Sequence, residues 1–227
     1  MVKKISSEKF EEFTTATQDK FSEVKKYFAM LPDTNEMKKE FNNLISNSFS
    51  FEDLSVWLKD NLSMGSIDVN IMTKVDKTNY FKKEELPSEY NDAHAGLRGY
   101  ANSDLSSSVI FSAGMNPRLY GYIAQFDDFF PDENGYIKKK IILKVSDYRS
   151  AIIQGKFLAK KGLWISEYRI ESGLNCGGHA FATDGYLMGP ILAEFRDRRQ
   201  ELVDDLYAVC SPALEANGRV VPNDTLA

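Results

Sequence analysis

His179 ends a loop, Ser172-Gly173-Leu174-Asn175-Cys176-Gly177-Gly178-His179, that follows an apolar stretch and carries three glycines. Imidazole is the side chain best suited to moving a proton near neutral pH. Glycine lets the backbone turn sharply and approach a ligand closely. Parallel α/β enzymes place their chemistry in such loops, at the C-terminal ends of the strands. Two further residues are conspicuous by their setting. Lys144 lies in an otherwise apolar run, Ile141–Val145, of the kind that forms a fully buried parallel strand. Its ammonium either snorkels to the surface or faces a bound anion or polar cofactor. Asn70 interrupts the β-branched stretch Ser66–Thr73, either as a structural amide or as a site residue aimed off the strand's end. Cys176 and His179 have the spacing of half a zinc site. His94 and Cys210 are the only other soft ligands and nothing brings them together, so no metal is expected.

The elements that must position these residues are legible from spacing. Ile141–Val145 reads as a strand, Tyr148–Lys161 as an amphipathic helix, and Leu163–Glu171 as a second strand, making one β-α-β unit. Ser146 and Asp147 can cap the helix, and Lys160-Lys161-Gly162 closes it with positive charge at the negative helix end and glycine at C′. Upstream, Ser108–Ala113 is a strand that stops at Gly114-Met115-Asn116-Pro117. There Asn116 as N-cap and Pro117 in the first turn start another helix. Residues 74–92 form a polar excursion, and 93–103 a helix weakened by Gly96 and Gly99. Lys138-Lys139-Lys140 reads as a solvated charge run where the central strand begins.

The first 62 residues are helical in pattern. Phe10, Phe13, Thr17, Phe21, Val24, Phe28 and Leu31 recur at three and four over residues 5–31. Met37, Phe41, Leu44 and Ile45 mark a second helix. Ser50 with Asp53 opens a third, in an approximate capping box. After the site loop, Pro190 opens a helix with Ile191, Leu192, Phe195, Leu202, Val203 and Leu206 inward, and residues 211–227 lose periodicity. The predicted organisation is a helical segment over 1–62, βα units over 63–210 and an irregular tail over 211–227.

The chain has 227 residues, 43% hydrophobic, and a net charge of −5, which gives no electrostatic case for nucleic acid. No window approaches the ~18 apolar residues of a membrane span. No apolar stretch follows the N-terminal lysines, so no signal peptide is expected. Two cysteines make no disulfide framework. Together these predict a cytoplasmic protein with a small-molecule substrate.

Four motifs in order carry a resemblance. Asp68-Val69-Asn70-Ile71-Met72, Ser112-Ala113-Gly114-Met115-Asn116-Pro117, Lys144-Val145-Ser146, and Glu171 through Gly177-Gly178-His179 resemble the central part of the nitronate monooxygenase (2-nitropropane dioxygenase) family. The match covers roughly residues 50–185. That family is a flavin-binding (β/α)8 TIM barrel that oxidises alkyl nitronates with FMN and O₂, and its relatives include flavin-dependent enoyl-thioester reductases. The resemblance implies FMN as cofactor. It implies that Asn70 and Lys144 hydrogen-bond the flavin ring, with Ser146 beside Lys144 in the cofactor motif. It implies Gly177 and Gly178 close to the flavin or its phosphate, and His179 as catalytic base or proton donor.

Leu174-Asn175-Cys176 departs from the family's usual residues before Gly-Gly-His. Only about four strands are legible, where such a barrel has about eight. The expected fold is therefore an α/β, partial TIM-barrel-like parallel sheet with an N-terminal helical segment, as in a fragment, a truncated chain or one half of a split enzyme. Self-association, or pairing with a chain that supplies the missing strands, is expected of its open edges. The alternative is a non-catalytic α/β binding module.

Overall fold

The computed structural model describes residues 2–112, 114–171 and 188–222, and the chain divides into two compact units, Met1–Ile67 and Asp68–Ala227. The first is all helix: α1 (Val2–Thr14), α2 (Phe21–Met30), α3 (Glu36–Ser46) and α4 (Phe51–Asn61). Its core is Ala16, Val24, Phe28, Phe41, Leu54 and Leu58, with Phe28 and Phe41 stacked at 4.0 Å between ring centroids. The single helix expected over 5–31 is two helices. The chain leaves α1 after Thr14, and the Ala16 amide donates instead to the Ser55 hydroxyl on α4, at 2.8 Å. Ser50 caps α4, its Oγ accepting from the Asp53 amide at 3.0 Å, but the reciprocal half of the box is replaced: the Asp53 carboxylate accepts from the Ser50 hydroxyl at 2.6 Å.

The second unit follows the predicted βα rhythm. Its strands are β1 (Val69–Met72), β2 (Tyr80–Phe81), β3 (Glu84–Glu85), β4 (Ser107–Ser112), β5 (Lys139–Val145) and β6 (Ile165–Ile170). Its helices are α5 (Asp92–Ala101), α6 (Pro117–Ile123), α7 (Tyr148–Ala159), α8 (Met188–Asp197) and α9 (Arg199–Ala216). The polar excursion contains the small antiparallel hairpin β2–β3. The other four strands form one parallel sheet in the order β1-β4-β5-β6. The fold is thus α/β with a parallel sheet. No helix among the described residues is long and apolar enough to cross a membrane.

Strand alternation assigns the two faces. Ile71, Val109, Phe111, Ile141, Leu143 and Val145 join the buried residues of α5, α6, α7 and α9 in a single core. The opposite face carries Asn70 and Met72, Ile110 and Ser112, Ile142 and Lys144, Glu167 and Arg169. Ile110 and Ile142 are buried there, whereas Met72 is 53% exposed. The core helices of this unit, α5, α6, α7 and α9, therefore pack on one side of the sheet.

Gly155 permits that packing. A Cβ on it would lie 2.5 Å from Tyr168 Oη and 2.8 Å from a Leu206 methyl, so α7 approaches β6 and α9 more closely than any other residue allows. Residues 211–216, expected to be irregular, continue α9 through Pro212. Leu206, Cys210 and Leu214 extend its buried stripe at intervals of four, and that burial outweighs the lost backbone bond. The helix predicted from Pro190 breaks at Arg198 into α8 and α9.

The lysine run is not a solvated one. Lys139 is fully buried, with Nζ donating to the carbonyls of Leu105 (2.8 Å) and Ser103 (3.0 Å) and lying over the Tyr100 ring. Lys138 pairs with Asp128 at 2.7 Å. The buried ammonium closes the turn between α5 and β4 by satisfying carbonyls that would otherwise lack donors.

Candidate functional site on the open face of the sheet

The face opposite the core helices is polar at the C-terminal ends of the strands. Met72 pairs with Ser112, and Lys144 pairs with Arg169. Phe111 pairs with Leu143, so the next step in register sets Ser112 beside Lys144. Met72, Ser112, Lys144 and Arg169 thus make one row across the sheet. Asn70 stands one alternation below Met72, and its Oδ1 accepts a hydrogen bond from Ser112 Oγ at 3.0 Å. That bond orients the amide so that its NH₂ group is free to donate outward.

Lys144 Nζ lies 2.7 Å from Glu171 Oε1, and both side chains are part-exposed. Glu171 is positioned by its own backbone, whose N–H donates to the Val145 carbonyl at 2.9 Å. Arg169 Nε lies 2.6 Å from Glu167 Oε1, and its NH2 lies 3.8 Å from Asp68 Oδ2. The Glu167 carboxylate holds the Arg169 guanidinium above its ordinary pKa. Asp68 precedes β1, while Arg169 is on β6, with two strands between. Side chains stand roughly perpendicular to a sheet, so two that meet across ~14 Å of strand spacing report a concave face.

A second network fixes the loops above this face. Asp76 Oδ1 accepts from the amides of Ala93 (3.0 Å) and His94 (3.4 Å) at the start of α5. Its Oδ2 accepts from Asn116 Nδ2 at 3.2 Å. Asn116 also donates to the Thr73 carbonyl and caps α6 by accepting from the Leu119 amide. Asn91, the residue before α5, contributes no cap, so Asp76 does that work from another loop.

No protein-family model matches the chain, and no curated protein or solved structure matches it. The site is therefore read from its own geometry.

Of the residues singled out in the sequence, Asn70 and Lys144 share the open face. Ser146 lies past the end of β5, and its hydroxyl donates to Asp147 Oδ2 at 2.9 Å, beside the carboxylate that caps α7. Gly177, Gly178 and His179, with Cys176, lie outside the described residues. No cluster of three metal-ligating side chains occurs among the described residues. Cys210 lies on the buried face of α9, where burial pushes its thiol up to about 12. Arg169 is a site residue that the sequence reading did not single out, and Ser112 and Glu171 stood there as motif positions without a role. Alternation along β4 and β6 was the available signal, because it puts Ser112 and Arg169 on the face of Lys144.

Proposed function

We propose that the chain is an FMN-dependent oxidoreductase of the nitronate monooxygenase kind, acting on a small nitronate-like carbon acid with O₂. One observation carries the reading. Asn70 and Lys144, flagged independently as odd residues in apolar strands, lie on the same concave face at the C-terminal ends of parallel strands. The sequential strand order with helices on one side supports a barrel-type sheet, because doubly wound sheets reverse order and carry helices on both faces.

The donor set suits a flavin. Its pyrimidine edge presents carbonyl and ring-nitrogen acceptors, which the outward NH₂ of Asn70 can meet. Lys144 supplies a fixed cation where negative charge develops on reduction. Bound FMN would supply the two-electron chemistry. The chain's part is orientation and charge: Ser112 fixes the Asn70 amide, and Lys144, paired with Glu171 at 2.7 Å, brings a cation to the same face. His179, which follows β6 in the sequence, takes the role of proton acceptor for the substrate carbon.

The test is a titration of the purified chain with FMN, followed by visible absorbance and by the fluorescence of Trp57 and Trp164. Loss of a hydrogen bond to a charged group costs ~1.5–3 kcal/mol. Lys144→Ala should therefore weaken binding about tenfold or more, and Asn70→Ala somewhat less. A folded chain that does not bind FMN at millimolar concentration overturns the reading. Turnover of a nitronate, set against an enoyl thioester with reduced nicotinamide, identifies the reaction.

A further inference from the structure

Among the described residues the parallel sheet ends in two unpaired edges: β1 pairs only with β4, and β6 only with β5. An unpaired edge presents a row of N–H and C=O groups that templates pairing with another strand. Both edges run in the same direction, since every pairing in the sheet is parallel. Beside β6 lies a cavity of about 560 Å³, bounded by Trp164 and Tyr168 on the strand side and by Phe195, Leu202, Val203 and Leu206 of α8 and α9. A further strand next to β6 would cover this apolar hollow, with α8 and α9 above it.

We infer that a second copy of the chain fills it. β1 of each copy pairs with β6 of the other about a two-fold axis, and four strands plus four close an eight-stranded parallel ring. Three observations select this occupant. Two-fold pairing satisfies both bare edges of both copies with a single kind of junction, as closed symmetry requires. Among the described residues of this unit the core helices lie on one side of the sheet, which turns the concave side inward in a ring, and eight is the strand number at which such a ring closes. The edges also match in charge. β6 offers Glu167 and Arg169, and Asp68 stands at the head of β1, where Arg169 already lies 3.8 Å from the Asp68 of its own chain. In the ring, the partner's Asp68 begins the strand adjoining Arg169. The inference stands on the sheet alone and survives a failure to bind FMN.

Sedimentation velocity on the full chain, from low to high micromolar concentration, tests it. The expected species is a dimer of twice 25.7 kDa. Asp68→Arg and Arg169→Asp each put like charges at both junctions, and each should weaken dimerisation about tenfold or more. Mixed in equal amounts, the two variants place opposite charges at both junctions of the heterodimer and should restore it. A monomer at every concentration overturns the proposal. So does a polymer that grows with concentration, a dimer indifferent to both variants, or a mixture no better than its parts. Should either variant fail to fold, hydrogen exchange on the unaltered chain decides: amides of Val69–Met72 and Ile165–Ile170 must gain protection as concentration rises, and unchanged exchange there overturns the proposal.

Discussion

His94 Nδ1 lies 2.8 Å from Asp76 Oδ2, and both side chains are almost wholly buried. The contact departs from the line of an aligned hydrogen bond. Asp76 is the hub: it joins the loop after β1, the first turn of α5 and, through Asn116, the first turn of α6. These are the loops that border the open face beside Asn70 and Ser112.

Removing that hub should therefore loosen the site along with the fold. Asp76→Ala strips two helix-terminal amides of their acceptor, takes one of its two acceptors from Asn116 Nδ2 and removes the carboxylate beside His94 Nδ1. A lost cap and buried unpaired groups together cost about 2–4 kcal/mol. Urea unfolding should show a midpoint shift of that size. A loss below ~0.5 kcal/mol, the scale of ordinary surface substitutions, would mean that the network is ornamental.

Gly155→Ala tests the packing of α7. Alanine is the better helix former by ~1 kcal/mol, so an unconstrained site would gain stability. Here the new methyl would meet Tyr168 Oη at 2.5 Å and Leu206 Cδ2 at 2.8 Å. Overpacking of this kind costs ~1–3 kcal/mol, and the variant should melt below the parent. A higher melting temperature would show that α7 has room to move away from β6.

These two sites also show what was readable in advance. The caps at Ser50, Asn116 and Asp147 were legible because capping is local: the acceptor and the amide it serves are three residues apart. The central β-α-β unit was legible for the same reason, as periodicity within one stretch. Lys139 was not, because its acceptors on Ser103 and Leu105 lie 36 and 34 residues upstream, and nothing near it distinguishes it from Lys138. Nor was the role of Asp76, which caps a helix whose own preceding residue, Asn91, is a good capping type. At the site, Asn70 and Lys144 stood out as polar residues in apolar strands. Arg169 sits in a strand already rich in charge, and only the curvature of the sheet brings it towards Asp68.

Buried titrating groups set the alkaline limit of stability. Burial pushes the Cys210 thiol up to about 12 from 9.0, and the Tyr100 phenol up to about 12 from 10.0. The folded chain keeps both protons where the unfolded chain has lost them. Their contribution is thus full below pH 9 and is lost as pH rises towards 12. Lys139 acts in the opposite sense. Burial lowers its pKa below 10.5, so the unfolded chain binds that proton more tightly and stability rises with pH up to 10.5. Melting temperature should fall above pH 9, less steeply in Cys210→Ala and more steeply in Lys139→Met. Parallel curves for all three proteins would show that other groups control the limit.

The pairing of Lys144 with Glu171 makes a signed prediction for cofactor binding. A part-exposed pair is worth ~0.5–1 kcal/mol, so Glu171 competes weakly for the ammonium that FMN would use. Glu171→Gln keeps the shape and removes the competing charge. FMN should bind about 2–5-fold more tightly to this variant, whereas Lys144→Ala binds it more weakly, and the double variant should behave like Lys144→Ala. Titration of all three by flavin absorbance reads this directly. If Glu171→Gln weakens binding instead, the carboxylate serves to hold the lysine in position, and its negative charge is tolerated for that purpose. If neither substitution changes the affinity, the flavin does not lie against Lys144.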